Sequence, residues 1–467
     1  MHSRLHDGIR LLWRRSDAVA AATKYSPDRC NAVFRSKKAP YIMSQPSKQG
    51  TPSEQAAETK QPWQRALYAS WFAQFVSTAG FAFVMPFLPF YIRELSDIPE
   101  HQLPLWSGIT YSLAPLMLCI MSPIWGSLAD RHGRKLMVQR AMFGAGLVLL
   151  LMSTVQSLSG LLVLRLLQGV LSGVAVACTT LVSSITPRHR LGYSLGILQM
   201  ALVMGAFLGP WVGGALAAQW GYRIPFVAAS AALVAGGIVI RVFVHENFTP
   251  PEQCANGNHG MRQAFGGRGL LALLSVFFFL TFSSQFVLPI FPLFVEKLHQ
   301  AVAVTEDRQI ARIVGLLSGI TGLASGLSTV FIGRLSDRIG HRRTLIGCTL
   351  LSGIMCVPHA IATGVSQLFG LRIGYGLAAG GINPSINAII GNSVSADTYG
   401  RSYGMTQSAA ALGLTLGPLV GGIVTTAFGL RWPFVIMGVM LLVSAALVTA
   451  CVRPRSTHHE GTPGPAE

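Results

Sequence analysis

The sequence predicts an all-α membrane protein of twelve transmembrane helices in two parallel six-helix repeats. Three observations predict it. The 467 residues are 51% hydrophobic and only 12% charged, where a soluble domain carries about 25% charged residues, and the mean hydropathy is +0.48. Twelve runs are long enough to cross a bilayer, which takes about 20 apolar residues. The chain also repeats itself. GSLADRHGRK, opened by Gly126, returns as GRLSDRIGHRR, opened by Gly333, an offset of 207 residues. The glycine string from Gly196 to Gly214 returns from Gly404 to Gly422, an offset of 208. A period near half the chain means two similar halves rather than a solenoid.

Composition excludes several classes. The net charge of +18 suggests a nucleic-acid binder at first sight. Twelve of the cations, however, lie within residues 1–65, from Arg4 to Arg65, and no basic fold lies outside the apolar runs. Loop charge that sets membrane orientation is the better reading. The seven cysteines are scattered without a C-x-x-C pair or zinc spacing, so neither a disulfide framework nor a metal site is expected. No nucleophile or His/Cys/Asp constellation suggests an enzyme, and no cofactor is expected.

Residues 1–62 are polar and rich in Ser, Pro, Gln and Lys, and are expected to be a disordered basic N-terminal extension. No apolar core of a secretory signal follows the basic start. The Arg-rich stretch 1–42 resembles a transit peptide but carries Asp7, Asp17 and Asp28, which leaves Met1 and Met43 both open as the start. An N-terminal half is expected over 63–244, with spans near 66–92, 105–128, 136–156, 159–182, 193–218 and 223–244. The segment 245–268, broken by Gly, Pro and Asn, is expected to be a cytoplasmic linker. A C-terminal half follows over 269–452, with spans near 269–293, 311–333, 344–363, 366–391, 403–427 and 430–451, and then a tail over 453–467.

Lys and Arg predict the orientation. The links after even-numbered spans carry Arg131, Arg134, Lys135, Arg140, Arg188, Arg190, Arg241, Arg262, Arg268, Arg334, Arg338, Arg342, Arg343 and Arg401, and the tail adds Arg453 and Arg455. The opposite links carry Arg93, Arg223, Lys297, Arg308, Arg312 and Arg431. Both termini are therefore expected in the cytoplasm. Three more string pairs fall in the same order: FVMPFLPFYIREL at 83–95 with FVLPIFPLFVEKL at 286–298, LRLLQG at 164–169 with LRIGYG at 371–376, and GYRIPF at 221–226 with GLRWPF at 429–434. Halves with equal span number and equal orientation form a parallel repeat, an organisation that points to a transporter.

In GSLADRHGRK, Gly126 and Gly133 allow tight turns. Asp130 suits a helix N-terminus, and Arg131, Arg134 and Lys135 are cationic at the membrane surface. The string resembles the loop signature of the major facilitator superfamily, and Gly333, Asp337, Arg338 and Gly340 form its counterpart. The resemblance implies a latch between the halves on the cytoplasmic side, with Asp130 and Asp337 as its carboxylates. His341 stands where the first copy has Arg134.

Gly205, Gly209 and Gly213 recur every four residues, which lets helix backbones approach closely, and Pro210 bends the span. With Gly196 and Gly214 the string resembles the antiporter signature of the drug:proton branch of that superfamily. Gly404, Gly413, Gly417, Pro418, Gly421 and Gly422 repeat it. The resemblance implies export in exchange for protons, and the combined strings are most similar to the MdtG-type multidrug exporters.

Arg165 lies inside span four and Arg372 inside span ten. An intramembrane charge is usually functional, although a long side chain near a span end can also snorkel. Arg165 with Gln168 and Gly169 resembles the family's span-four arginine motif, which implies a part in proton coupling. Tyr375 replaces the glutamine in the second copy. Pro86 with Pro89, and Pro289 with Pro292, break spans one and seven where a cavity can form. No Asp or Glu lies well inside any span.

The expected mechanism is alternating access, with substrate between spans one, four, five, seven, ten and eleven. Gln74, Thr78, Arg165, Gln168, Gln199, Gln285, Arg372, Tyr375, Asn383, Asn387 and Gln407 are the candidate lining residues, because polar groups on apolar spans face the interior. Small drug-like molecules, protons and the bilayer are the expected partners of a monomer in a bacterial cytoplasmic membrane. An importer or exporter of one specific metabolite (a sugar, siderophore or organic anion) is the alternative.

Overall fold

The computed structural model describes residues 62–246, 268–300, 307–393 and 399–451, and helix is the only regular secondary structure among them. The expected extension, most of the linker and the tail lie outside the described residues. Helix dominates because a chain in hydrocarbon must satisfy its backbone polar groups within each segment. Eleven segments among the described residues are long and apolar enough to cross a membrane. Span ten is divided into Val365–Ala379 and Ile382–Ser393.

The unbroken spans are Leu103–His132, Arg134–Thr154, Leu191–Trp220, Ile224–Phe243, Asp307–Ile339, His341–Ile361, Tyr399–Phe428 and Trp432–Cys451. These are spans two, three, five, six, eight, nine, eleven and twelve. Large apolar side chains such as Leu147, Leu151, Ile238, Phe331 and Leu350 are exposed, while serine and alanine fill much of the interior. That distribution suits helices packed together in lipid, where small residues mark the interfaces.

Spans one, four, seven and ten are interrupted at corresponding places. Span one is Pro62–Val84, a 3-10 turn Met85–Phe87, and Leu88–Leu95. Pro86 and Pro89 lie at this break, because proline has no N–H to give the helix ladder. Span seven is Arg268–Phe286 and Phe291–Gln300, joined by a turn in which Phe291 N–H donates to the Val287 carbonyl at 2.9 Å. Span four is Leu158–Leu171 and Val174–Ile185, separated at Gly173, whose φ of +113° favours glycine.

Carbonyls at the breaks accept from side chains of neighbouring spans. The Tyr111 hydroxyl donates to the Met85 carbonyl. The Trp125 indole donates to the Val170 carbonyl at 2.7 Å, and the Arg140 guanidinium, stacked on that indole, donates to the Ser172 carbonyl at 3.2 Å. In span ten the Ser328 hydroxyl donates to the Leu377 carbonyl, and Thr329 to that of Gly380 at 2.8 Å.

The glycine strings form two kinds of crossing. A Cβ on Gly205 would lie 2.7 Å from the Thr78 Cβ, and one on Gly209 would lie 2.9 Å from the Ala79 carbonyl oxygen, so this face meets span one. Gly214 faces the other six-helix set: its Cβ would lie 2.7 Å from the Ala311 oxygen and 3.1 Å from the Gly315 Cα of span eight. The second string is built alike. Gly413 and Gly417 meet Thr281, Phe282 and Gln285 of span seven, and Gly422 meets Pro104, Leu105 and Gly108 of span two. Gly196 is different, because a Cβ there would meet nothing within 4 Å.

The expectation that Gly126 forms a turn is corrected. Leu103–His132 stays helical through Gly126, and the turn is at Gly133, with φ +95°. In the repeat, Gly333 is inside Asp307–Ile339 and Gly340 turns, with φ +99°. One left-handed glycine is enough to reverse the chain, so the upstream glycine is free to continue the helix.

Gly214→Ala should lower the thermal midpoint of the detergent-solubilised protein, because overpacking a close crossing costs about 1–3 kcal/mol. Gly196→Ala should leave the midpoint unchanged or raise it, since removing a helical glycine gains about 0.5–1 kcal/mol where space is open. A thermal melt of the two variants checks both.

Candidate functional site

Four features define the candidate site. The first is the cation-rich end. The backbone N–H groups of Arg134 and Lys135 donate to the two carboxylate oxygens of Glu246 at 3.0 and 2.7 Å. A carboxylate at a helix N-terminus satisfies orphan donors and complements the dipole. Glu246 therefore fills the role that the sequence suggested for Asp130, whose side chain lies outside the described set. The Lys135 ammonium donates to the Arg241 carbonyl at 3.1 Å, and Arg342, its repeat counterpart, donates to the Thr449 carbonyl at 2.7 Å. Both cations therefore tie the start of one span to the end of another within the same half, at a helix C-terminus. His341 pairs with the Ser336 hydroxyl at 2.8 Å. Arg131, Asp337 and Arg338 are exposed.

The second feature is Arg165, 1% exposed. Its guanidinium donates to the Gln168 carbonyl oxygen at 2.6 Å and lies 3.6 Å from the Met85 sulfur, at the break in span one. Position 169 must be glycine here, because a Cβ would strike Met117 at 2.7 Å as span four presses on span two. The enclosed position rules out snorkelling as the reason for this arginine.

The third feature is a cavity of about 150 Å³ between spans seven, eight, nine, ten and twelve. Its polar lining is Ser284, Ser318, Thr321, His359, Arg372 and Tyr375. The Arg372 guanidinium stacks 3.4 Å from the Phe291 ring centroid. No hydrogen bond or ion pair to it forms among the described residues. His359 is 2% exposed and stacks on Phe434. Its Nδ1 pairs with the Met355 carbonyl at 2.8 Å, and its Nε2 has no partner.

The fourth feature closes the end opposite the cation-rich loops. Arg93 of span one donates to both oxygens of Glu296 of span seven, at 2.7 and 2.9 Å, and to Glu100 at 3.1 Å. Glu296 is 6% exposed. Bidentate arginine–carboxylate pairs are among the strong, directional hydrogen bonds.

Of the candidate lining residues, Arg372 and Tyr375 meet at this cavity. Gln74 is buried and donates to Thr78 at 3.3 Å, and Thr78 abuts Gly205. Arg165 and Gln168 are together inside the first six spans. Gln285 packs on Gly417. Gln199, Asn383 and Asn387 are exposed, and the side chain of Gln407 lies outside the described set. Sequence reasoning missed three parts: Glu246, the glycines of span eight, and the Arg93–Glu296 pair. The pair was detectable, because the aligned strings at 83–95 and 286–298 place Arg93 opposite Glu296.

The family model described as Major Facilitator Superfamily matches residues 70–305 and again 273–467. The chain belongs to the major facilitator superfamily. As a member it is a membrane transporter, and it is similar to relatives along nearly their whole length. It is 32% identical over 399 residues to the multidrug resistance protein MdtG of Serratia proteamaculans, covering 85% of this chain and 95% of that one. It is 34% identical over 393 residues to the MdtG of Escherichia fergusonii, covering 84% and 92%. Among solved structures of the same fold, a bacterial homolog of the human lysosomal transporter Spinster, described as inward-facing and occupied, superposes with a TM-score of 0.70. Its identity is 14%, and the match covers 84% of this chain and 98% of that one.

In this major facilitator protein the Arg93–Glu296 pair joins the two six-helix sets at one end. Removing Glu296 leaves the half-buried Arg93 with the exposed Glu100 as its remaining partner, on its own half, so the tie between the sets is lost. Glu296→Gln should shift the protein toward conformers open at that end, and the charge-swapped Arg93→Glu/Glu296→Arg variant should reverse much of the shift. Spin-label distances across that end provide the measurement.

Proposed function

We propose that the protein exports small amphiphilic, drug-like molecules across a bacterial cytoplasmic membrane in exchange for protons. It works as a monomer by alternating access, with both termini in the cytoplasm. The near full-length similarity to proteins named multidrug resistance protein MdtG carries this reading. The orientation rests on the Lys and Arg bias between alternate links. Interrupted spans at corresponding positions of two repeats are the usual pointer to a transport pathway, and spans one, four, seven and ten are interrupted here.

The conformation fits one stage of the cycle. Arg93–Glu296 and the Gly214–Gly315 and Gly108–Gly422 crossings hold the two sets together toward the cation-poor end. Toward the other end, Thr179, Thr180, Ser183, Asn383 and Asn387 of spans four and ten are exposed. Substrate enters from the cytoplasm in this state. Its release requires the ion pair to part and the loops around Asp130 and Asp337 to engage, which is the latch role assigned to them. Arg165, enclosed at the broken part of span one, takes part in proton coupling as a fixed positive charge, since a guanidinium keeps its proton.

The enclosed Arg165 and the partly buried Arg372 have no ion pair with a carboxylate among the described residues, which disfavours lipophilic cations beside them, so neutral and anionic amphiphiles are the favoured substrates. Everted vesicles should show substrate uptake accompanied by proton release from the lumen. In cells, efflux of an anionic drug should exceed that of a quaternary ammonium dye, and strong dye efflux without an anion effect refutes the preference. Asp130→Asn should lower efflux at least tenfold with normal membrane insertion, and wild-type efflux in that variant refutes the latch.

A further inference from the structure

The two halves carry the same arginine in different surroundings. The offset of 207 pairs Arg165 with Arg372 and Gly108 with Gly315. The two glycines make the same crossing, one against Pro418 and Gly422, the other against Pro210 and Gly214. The register is therefore structural as well as sequential. In the first half the arginine is enclosed by Gln168, Met85 and Tyr111, whose hydroxyl is bonded to the Met85 carbonyl.

In the second half those three positions are Tyr375, Leu288 and Ser318. The exchange of Tyr111 for Ser318 removes a ring. The exchange of Met85 for Leu288 removes the sulfur contact, and that of Gln168 for Tyr375 removes the amide acceptor. The outcome is the cavity of about 150 Å³ beside Arg372, a volume that in a protein interior holds a benzene ring. A fourth exchange, of Met152 for His359, adds an imidazole whose Nε2 has no partner. Burying a cation is unfavourable unless it is paired. Stacking on Phe291 offsets part of the penalty but supplies no countercharge.

We propose that the cavity at Arg372 is an anion site, taking a small carboxylate with an aromatic or short apolar body. The carboxylate forms charge-assisted hydrogen bonds to the guanidinium. The apolar body packs among Val287, Leu288 and Met437, and Ser318 also lines the cavity, while the Thr321 hydroxyl donates to the Leu317 carbonyl at 2.7 Å. The site deepens the anion preference proposed above and uses one of the same guanidinium groups, but it lies inside one half and its occupancy is measurable without transport.

Calorimetric titration of the purified full-length protein with sodium benzoate, and separately with benzamide, tests it. Benzoate should bind saturably and at least tenfold more tightly than benzamide, its neutral counterpart in shape. Ser318→Tyr, which restores the filling residue of the first half, should weaken benzoate at least tenfold, and Arg372→Met should do the same. If Arg372→Met does not fold, the Ser318→Tyr variant and the two ligands still decide. Absence of benzoate binding, equal affinity for benzoate and benzamide, or unchanged affinity in Ser318→Tyr overturns the proposal. Benzoate binding without substrate-driven proton movement in vesicles supports this site and removes the antiport reading instead.

Discussion

A span can be broken inside a bilayer only if the protein itself satisfies the backbone groups that the break releases. The architecture depends on this constraint. Carbonyls of Met85, Val170, Ser172, Leu377 and Gly380 lie at the breaks, and Tyr111, Trp125, Arg140, Ser328 and Thr329 donate to them. Each donor belongs to a neighbouring span, so each break fixes the approach of two helices. Broken spans thereby become the ones around which interior space and buried charge collect.

The glycine strings act on a second level. One face of spans five and eleven lies against spans one and seven within its own half, while Gly214 and Gly422 bring the same spans onto spans eight and two of the other half. A smooth crossing between backbones has little side-chain interdigitation to undo, which suits surfaces that must slide during alternating access. The Arg93–Glu296 pair adds a discrete contact at one end. A closed state is thus held by a shape match that tolerates movement and by an ion pair that is either made or broken.

Duplication explains the likeness of the halves, and divergence explains their division of labour. The first half fills the space around its arginine with glutamine, methionine and tyrosine. The second exchanges these for tyrosine, leucine and serine and leaves a cavity. The same divergence makes the end pair possible, since positions 93 and 296 are equivalent yet carry opposite charges. Identical halves would place like charges there.

The sequence alone determined the number and class of the helices, because hydrocarbon demands long apolar runs whatever their packing. It determined the repeat, and through it the family, because spaced glycines, prolines and charges leave a readable order. It also marked Arg165, Arg372 and Tyr375 as interior groups, since polarity in an apolar run is conspicuous. Only the tertiary structure decided that Gly126 continues a helix, that Glu246 caps span three, that Gln168 occupies Arg165, and that Arg372 is left beside open space. Glu246 reaches span three from more than a hundred residues away, and the space beside Arg372 is bounded by five different spans. Distance and volume between spans, unlike hydropathy along one span, are not properties of any local stretch of sequence.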